Sequence, residues 1–252
     1  MDSLLDSCAC IGLSGDISIL KDYFGFTMGR FDNPPDPRGL PPDPTGATVQ
    51  VSLLRQIGLL KGEHVDLNII RIGEDNFSNS DYIDLDYTVF KIRNIYNRQQ
   101  VGIGKVEWYY VLSADADGLD SPNTKAELRD ITHHWTVDND SIDVFVPSNM
   151  NVPSDGGSVL GFSPIGGPCN KDKNGRMTGS VVDLQGSEQT ARSFSHEVGH
   201  YLGLFHRNGD PTNLMCQTSK VQKAGGSIRN AILLTDHQGH NIKNHCFIHG
   251  GC

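Results

Sequence analysis

The sequence predicts an α+β fold, an α/β sandwich of moderate size. Three observations carry that prediction. Four short segments show the apolar alternation or dense apolar runs of strands. Longer segments show apolar residues at helical spacing or a helix-start signal. The two kinds follow one another as strand, helix, strand, strand, strand, helix, joined by Gly- and Pro-rich connections.

The first strand starts near residue 64, where Val65, Leu67 and Ile69 alternate and Ile70 and Ile72 extend the run. Such a dense run suits a well-buried strand. Tyr82, Leu85, Val89, Ile92 and Tyr96 then mark a helix from Asp81 to about Arg98, with Ser80 or Asp81 as N-cap. Further strands are expected at Val106–Leu112, Ile142–Pro147 and Thr178–Leu184. The stretch from Pro153 to Asn174 reads as loop. A helix from about Ser187 to Tyr201 follows, and a last one begins at Thr235. Upstream, DNPPDPRGLPPDPTGAT at 32–48 cannot make regular helix or central strand. It divides the chain into residues 1–48, an extension or pro-segment, and residues 49–252, the main domain.

Composition narrows the function. Apolar residues are 37% of the 252 and charged residues 20%, which suits a packed globular protein rather than a disordered one. Thirty acidic against 21 basic residues give a net charge of −9, which argues against a nucleic-acid partner. No apolar run approaches the roughly 20 residues of a membrane span. Met1 to Ser14 has neither a basic leader nor a long apolar stretch, so a secretory signal is not expected there. Six Cys, at 8, 10, 169, 216, 246 and 252, fit disulfides in an oxidising, extracellular compartment, without fixing the pairing. A secreted monomer is the expectation.

Ser195 to His206 reads SHEVGHYLGLFH. On a helix, His196 and His200 project from one face, one turn apart. Two imidazoles so placed can share a metal ion. Glu197 is offset from that direction, where it can hold a water instead. Gly203 can end the helix through a left-handed backbone, and the chain can return His206 as a third ligand. Three neutral His ligands leave one position of a tetrahedral Zn2+ open, as in catalytic sites.

HEVGHYLGLFH resembles the HExxHxxGxxH consensus of the metzincin metallopeptidases. The resemblance implies a metzincin-like catalytic domain over about residues 64–248: a twisted mixed sheet, a backing helix, an active-site helix and a C-terminal helix. It implies that His196, His200 and His206 bind one catalytic Zn2+. Glu197 would be the general base on a metal-activated water, in a zinc-dependent endopeptidase. Met215, in Asn213-Leu214-Met215-Cys216, would be the Met-turn beneath the metal and not a ligand. A protein or peptide substrate would lie extended along an edge strand, taken as Gly179–Leu184. Where some metzincins place a Tyr two residues after the Met, this chain has Gln217. The short connector from His206 to Met215 resembles matrixins, and HEVGHYLGL resembles pappalysin-type enzymes, so the family stays open within the clan. Alternatives are a catalytically silent binding protein of the same fold and a zinc hydrolase of a non-peptide amide. Several metzincins silence their zymogens with a pro-segment thiol, which makes Cys8 and Cys10 candidates for that role.

Weaker signals have plainer readings. Asp115, Asp117 and Asp120 suggest a Ca2+ loop, but the EF-hand spacing fails at Asp120 and Ala126, so a solvated turn is preferred. His133 and His134 would face opposite sides of a strand. His237 and His240 would lie on a solvated helix face.

Overall fold

A computed structural model describes residues 62–154, 157–171 and 176–250. Residues 1–48, with Cys8 and Cys10, lie outside the described residues, as does Cys252.

The sheet has five strands: β1 (Glu63–Ile72), β2 (Val101–Val111), β3 (Ile142–Pro147), β6 (Gly161–Phe162) and β7 (Gly179–Val182). Their order is β2-β1-β3-β7-β6. β2, β1, β3 and β7 run parallel, and β6 runs antiparallel to β7. β4 (Pro153–Ser154) and β5 (Gly157–Ser158) form a separate small hairpin.

The apolar run of β1 is explained by its two covered faces. Val65, Leu67 and Ile69 pack with Leu85, Val89 and Ile92 of helix α1 (Asn79–Tyr96) and with Phe194 and Val198 of α3 (Ser187–Tyr201). Ile70 and Ile72 join Phe145, Val181 and, from α2 (Lys125–His134), Leu128 and Ile131 on the other face. Helices α4 (Thr218–Lys223) and α5 (Asp236–Lys243) follow.

Several expectations are corrected. The cap of α1 is Ser78, which forms a reciprocal capping box with Asp81. The second strand begins at Val101, not Val106. His133 and His134 end helix α2 rather than occupying a strand. There His133 Nε2 bonds the Arg176 carbonyl at 2.6 Å. The segment 179–184 is not the sheet edge, because β6 pairs with Val181 and Val182. The edge beside α3 is β6, drawn from the stretch expected to be loop.

Candidate metal centre

Helix α3 places His196 and His200 side by side, ring centroids 4.6 Å apart. Gly203 has φ 94°, a left-handed conformation that a side chain would disfavour. Its N–H donates to the His200 carbonyl at 2.8 Å, which closes the helix. The reversal returns His206 to ring-centroid distances of 4.6 Å from His200 and 5.3 Å from His196. One ring nitrogen from each of the three lies within 4.8 Å of the others.

The donor set fits a zinc ion. Nδ1 of His196 lies 2.7 Å from the Leu214 carbonyl oxygen, and Nδ1 of His200 lies 2.7 Å from that of Leu204. A carbonyl only accepts, so each Nδ1 carries the hydrogen and each Nε2 keeps its lone pair. His200 Nε2 faces His206 Nε2 at 3.0 Å. Burial keeps the rings neutral. It holds His196 well below the usual imidazole range, brings His200 to about 4 and lowers His206. Three neutral nitrogens aimed at one point suit Zn2+, with a fourth position left for water or substrate.

Glu197 is 7% exposed and lies on the same helix, offset from the ligand face. Burial pushes its carboxyl up to about 8, and the Arg192 guanidinium works against that rise. The backbone of β6 passes directly against its side chain.

Met215 is fully buried beneath α3. Its N–H donates to Asn213 Oδ1 at 2.9 Å, and Asn213 exchanges bonds of 2.8 and 3.1 Å with Gln238 of α5. The Arg207 N–H donates to the Met215 carbonyl at 2.9 Å. The turn is thereby tied both to the last helix and to the residue after His206. Gln217 accepts from Asn208 Nδ2 at 2.8 Å, across the connector.

Arg192 escaped the sequence reading. Its signal was present, since it precedes His196 by four residues and so shares the ligand face. It is 2% exposed. Its Nε donates to the Ala231 carbonyl at 3.1 Å, Nη1 to Thr218 Oγ1 at 3.1 Å, and Nη2 to the carbonyls of Leu214, at 3.0 Å, and Cys216.

A second group, Cys169, His245 and Cys246, has both sulfurs engaged in the Cys169–Cys246 disulfide. Cys216 is a free, buried thiol. His237 and His240 do not join a metal-ligating group among the described residues, and Asp115, Asp117 and Asp120 do not either.

A family model described as metallo-peptidase family M12B, reprolysin-like, matches residues 76–207, just over half of the chain. Among solved structures, the chain is similar to a metalloproteinase-II from Bacteroides fragilis, at 13% identity and TM-score 0.50. That match covers 73% of this chain and 53% of the other, so this chain spans about half of its length. It also matches archaemetzincin from Methanopyrus kandleri at 17% identity, covering 72% of this chain and 95% of that one, with a TM-score of 0.49. No curated protein matches the sequence.

Proposed function

The chain belongs to the reprolysin-like metallopeptidases of family M12B, and on that premise we propose that it is a zinc-dependent endopeptidase whose ligands are His196, His200 and His206. The observation that carries the proposal is the convergence of three ring nitrogens within 4.8 Å, beside a buried carboxylate.

Zinc at this point supplies Lewis acidity, which makes water more acidic and polarises a carbonyl. The protein does the rest. The Leu214 and Leu204 carbonyls fix the tautomers of His196 and His200, so both rings present Nε2. Glu197, whose burial-raised carboxyl a cation held by the three histidines would return to the ionised form, takes the proton of the attacking water and passes it to the leaving amine. Met215 closes the site from below with an apolar floor. A peptide adds as an extended strand along β6, the edge nearest Glu197.

In this reading the protein is a secreted monomer, and the Cys169–Cys246 bond supports the oxidising, extracellular setting. In the same reading, residues 1–48 are an extension or pro-segment, with Cys8 or Cys10 able to silence the site. Replacing both by Ser and assaying the full chain tests that part; unchanged activity counts against it.

The central test is Glu197→Ala together with a peptide blocked at both ends. The variant is expected to retain zinc by metal analysis and to lose about 10²–10⁴ in kcat. Cleavage of the blocked peptide, abolished by chelator, identifies an endopeptidase. Cleavage only of peptides with a free end, or a variant as fast as the parent, overturns the proposal.

A further inference from the structure

We propose that Arg192 is a positioning residue for the metal centre, acting through the backbone carbonyl of Leu214. The proposal rests on reading the three histidines as metal ligands, and adds to that reading what holds the first of them.

The Leu214 carbonyl accepts twice. His196 Nδ1 donates to it at 2.7 Å, and Arg192 Nη2 at 3.0 Å. The first bond decides which nitrogen of His196 is free for the ion and where the ring plane points. That bond is only as well aimed as the carbonyl. The peptide unit around Leu214 sits in a turn beside a single β-bridge, Asn213 with Leu233, and not within a helix or strand. It is held instead from two sides. The Leu214 N–H donates to the Leu233 carbonyl at 2.7 Å, and Arg192 grips the carbonyl end.

The same guanidinium bonds the Cys216 carbonyl, Thr218 Oγ1 and the Ala231 carbonyl. One side chain from the ligand helix therefore fastens both sides of the Met215 peptide and the wall beyond it. Only a planar fork of five N–H donors can reach four acceptors spread over three segments; an ammonium offers three donors from one point. These four partners are carbonyl or hydroxyl oxygens, with no carboxylate among them. Burying an arginine is costly, and main-chain carbonyl dipoles offset that cost only while the turn keeps its shape. The turn and the arginine thus hold each other in register under His196.

The prediction concerns the ion's affinity and geometry. Losing an outer partner of a metal ligand weakens metal binding by about 10–100-fold. The test compares the full chain with Arg192→Met and Arg192→Lys. Zinc affinity is measured by chelator competition, and ligand geometry by the visible spectrum of the cobalt(II)-loaded protein. Circular dichroism reports folding. Arg192→Met is expected to lose about 10–100-fold in zinc affinity and to shift the cobalt bands. Arg192→Lys is expected to fall between it and the parent. A folded Arg192→Met with parental affinity and spectrum overturns the proposal; should that variant not fold, Arg192→Lys decides on the same readouts. Loss of folding in both also overturns it, since Arg192 would then serve the fold rather than the aim of His196. A parent that binds no zinc refutes the metal-site reading itself, a different outcome from a parent that binds zinc and variants that match it.

Discussion

Gly161 and Glu197 are in contact so close that no side chain fits between them. A Cβ on Gly161 would stand 2.5 Å from Cγ of Glu197 and 2.7 Å from its Oε1. The edge strand β6 thus sets the position of the carboxylate. Gly161→Ala must push Glu197 aside or lift β6 from β7. The expected result is a fall in kcat of about tenfold or more, a fraction of what a general base contributes. Zinc content should not change, because no ligand is touched. Parental kcat in Gly161→Ala would show that the carboxylate position is not set by this contact.

Much of this arrangement was legible in the sequence, and what was missed has physical reasons. Strand Ile142–Pro147 matched its expected bounds because a short apolar run ending at a proline specifies a buried strand, and helix Ser187–Tyr201 matched because the His-Glu-x-x-His spacing needs a helix. The convergence of His196, His200 and His206 was legible because i, i+4 spacing followed by Gly203 is a local geometric instruction. Helix α2 was missed despite its Thr124–Glu127 capping box, since only Leu128, Ile131 and Thr132 of its 10 residues are buried. Strand β6 could not be read at all. Two residues have no period, and their pairing with β7 is a tertiary fact. The roles of Gly161 and the Leu214 carbonyl likewise depend on contacts between distant segments.

Asp183 should make stability depend on pH. It follows β7, is 4% exposed, and accepts from Gln185 Nε2 at 2.5 Å. Burial raises its carboxyl from 3.8 to about 6. Between those values the folded chain keeps a proton that the unfolded chain has released. Its contribution is therefore present at low pH and is lost as pH rises through about 6. Asp183→Asn should remove that slope and stabilise the protein at pH 7 by about 1 kcal/mol, a value reduced for solvent screening. Chemical denaturation at both ends of the window, read as the difference between parent and variant so that the titration of the histidines cancels, checks it. Parallel pH profiles for parent and variant would refute it.

The Cys169–Cys246 bond spans 77 residues and secures the loop behind the active-site helix. In that loop the N–H groups of Gly166 and Gly167 donate to the carbonyls of His200 and Tyr201 at 3.0 and 2.7 Å. The Tyr201 hydroxyl donates to the Pro168 carbonyl at 3.1 Å. A Cys169→Ser/Cys246→Ser double variant should lose about 2–4 kcal/mol of stability. Zinc affinity should fall far less, because the His196 and His200 rings are held by the Leu214 and Leu204 carbonyls and not by this loop. Denaturation and chelator competition on the same sample separate the two effects. Equal stability would mean that the bond does not constrain the unfolded chain.

Gly199, between the two helical histidines, sets two effects against each other. Replacing a helix-interior Gly by Ala usually gains about 1 kcal/mol from propensity. Here a Cβ would lie 2.8 Å from Sδ of Met215. Met215 is fully buried and tied at both its N–H and its carbonyl, so it has little room to yield. Overpacking costs about 1–3 kcal/mol and should win. Gly199→Ala is therefore expected to lower stability and, by tilting α3 off Met215, to weaken zinc binding. Met215→Ala alone would leave a cavity, yet in Gly199→Ala it relieves the clash. A double-mutant cycle should then show a favourable coupling above about 0.5 kcal/mol. Additive effects would mean that the methionine floor and the ligand helix do not set each other's position.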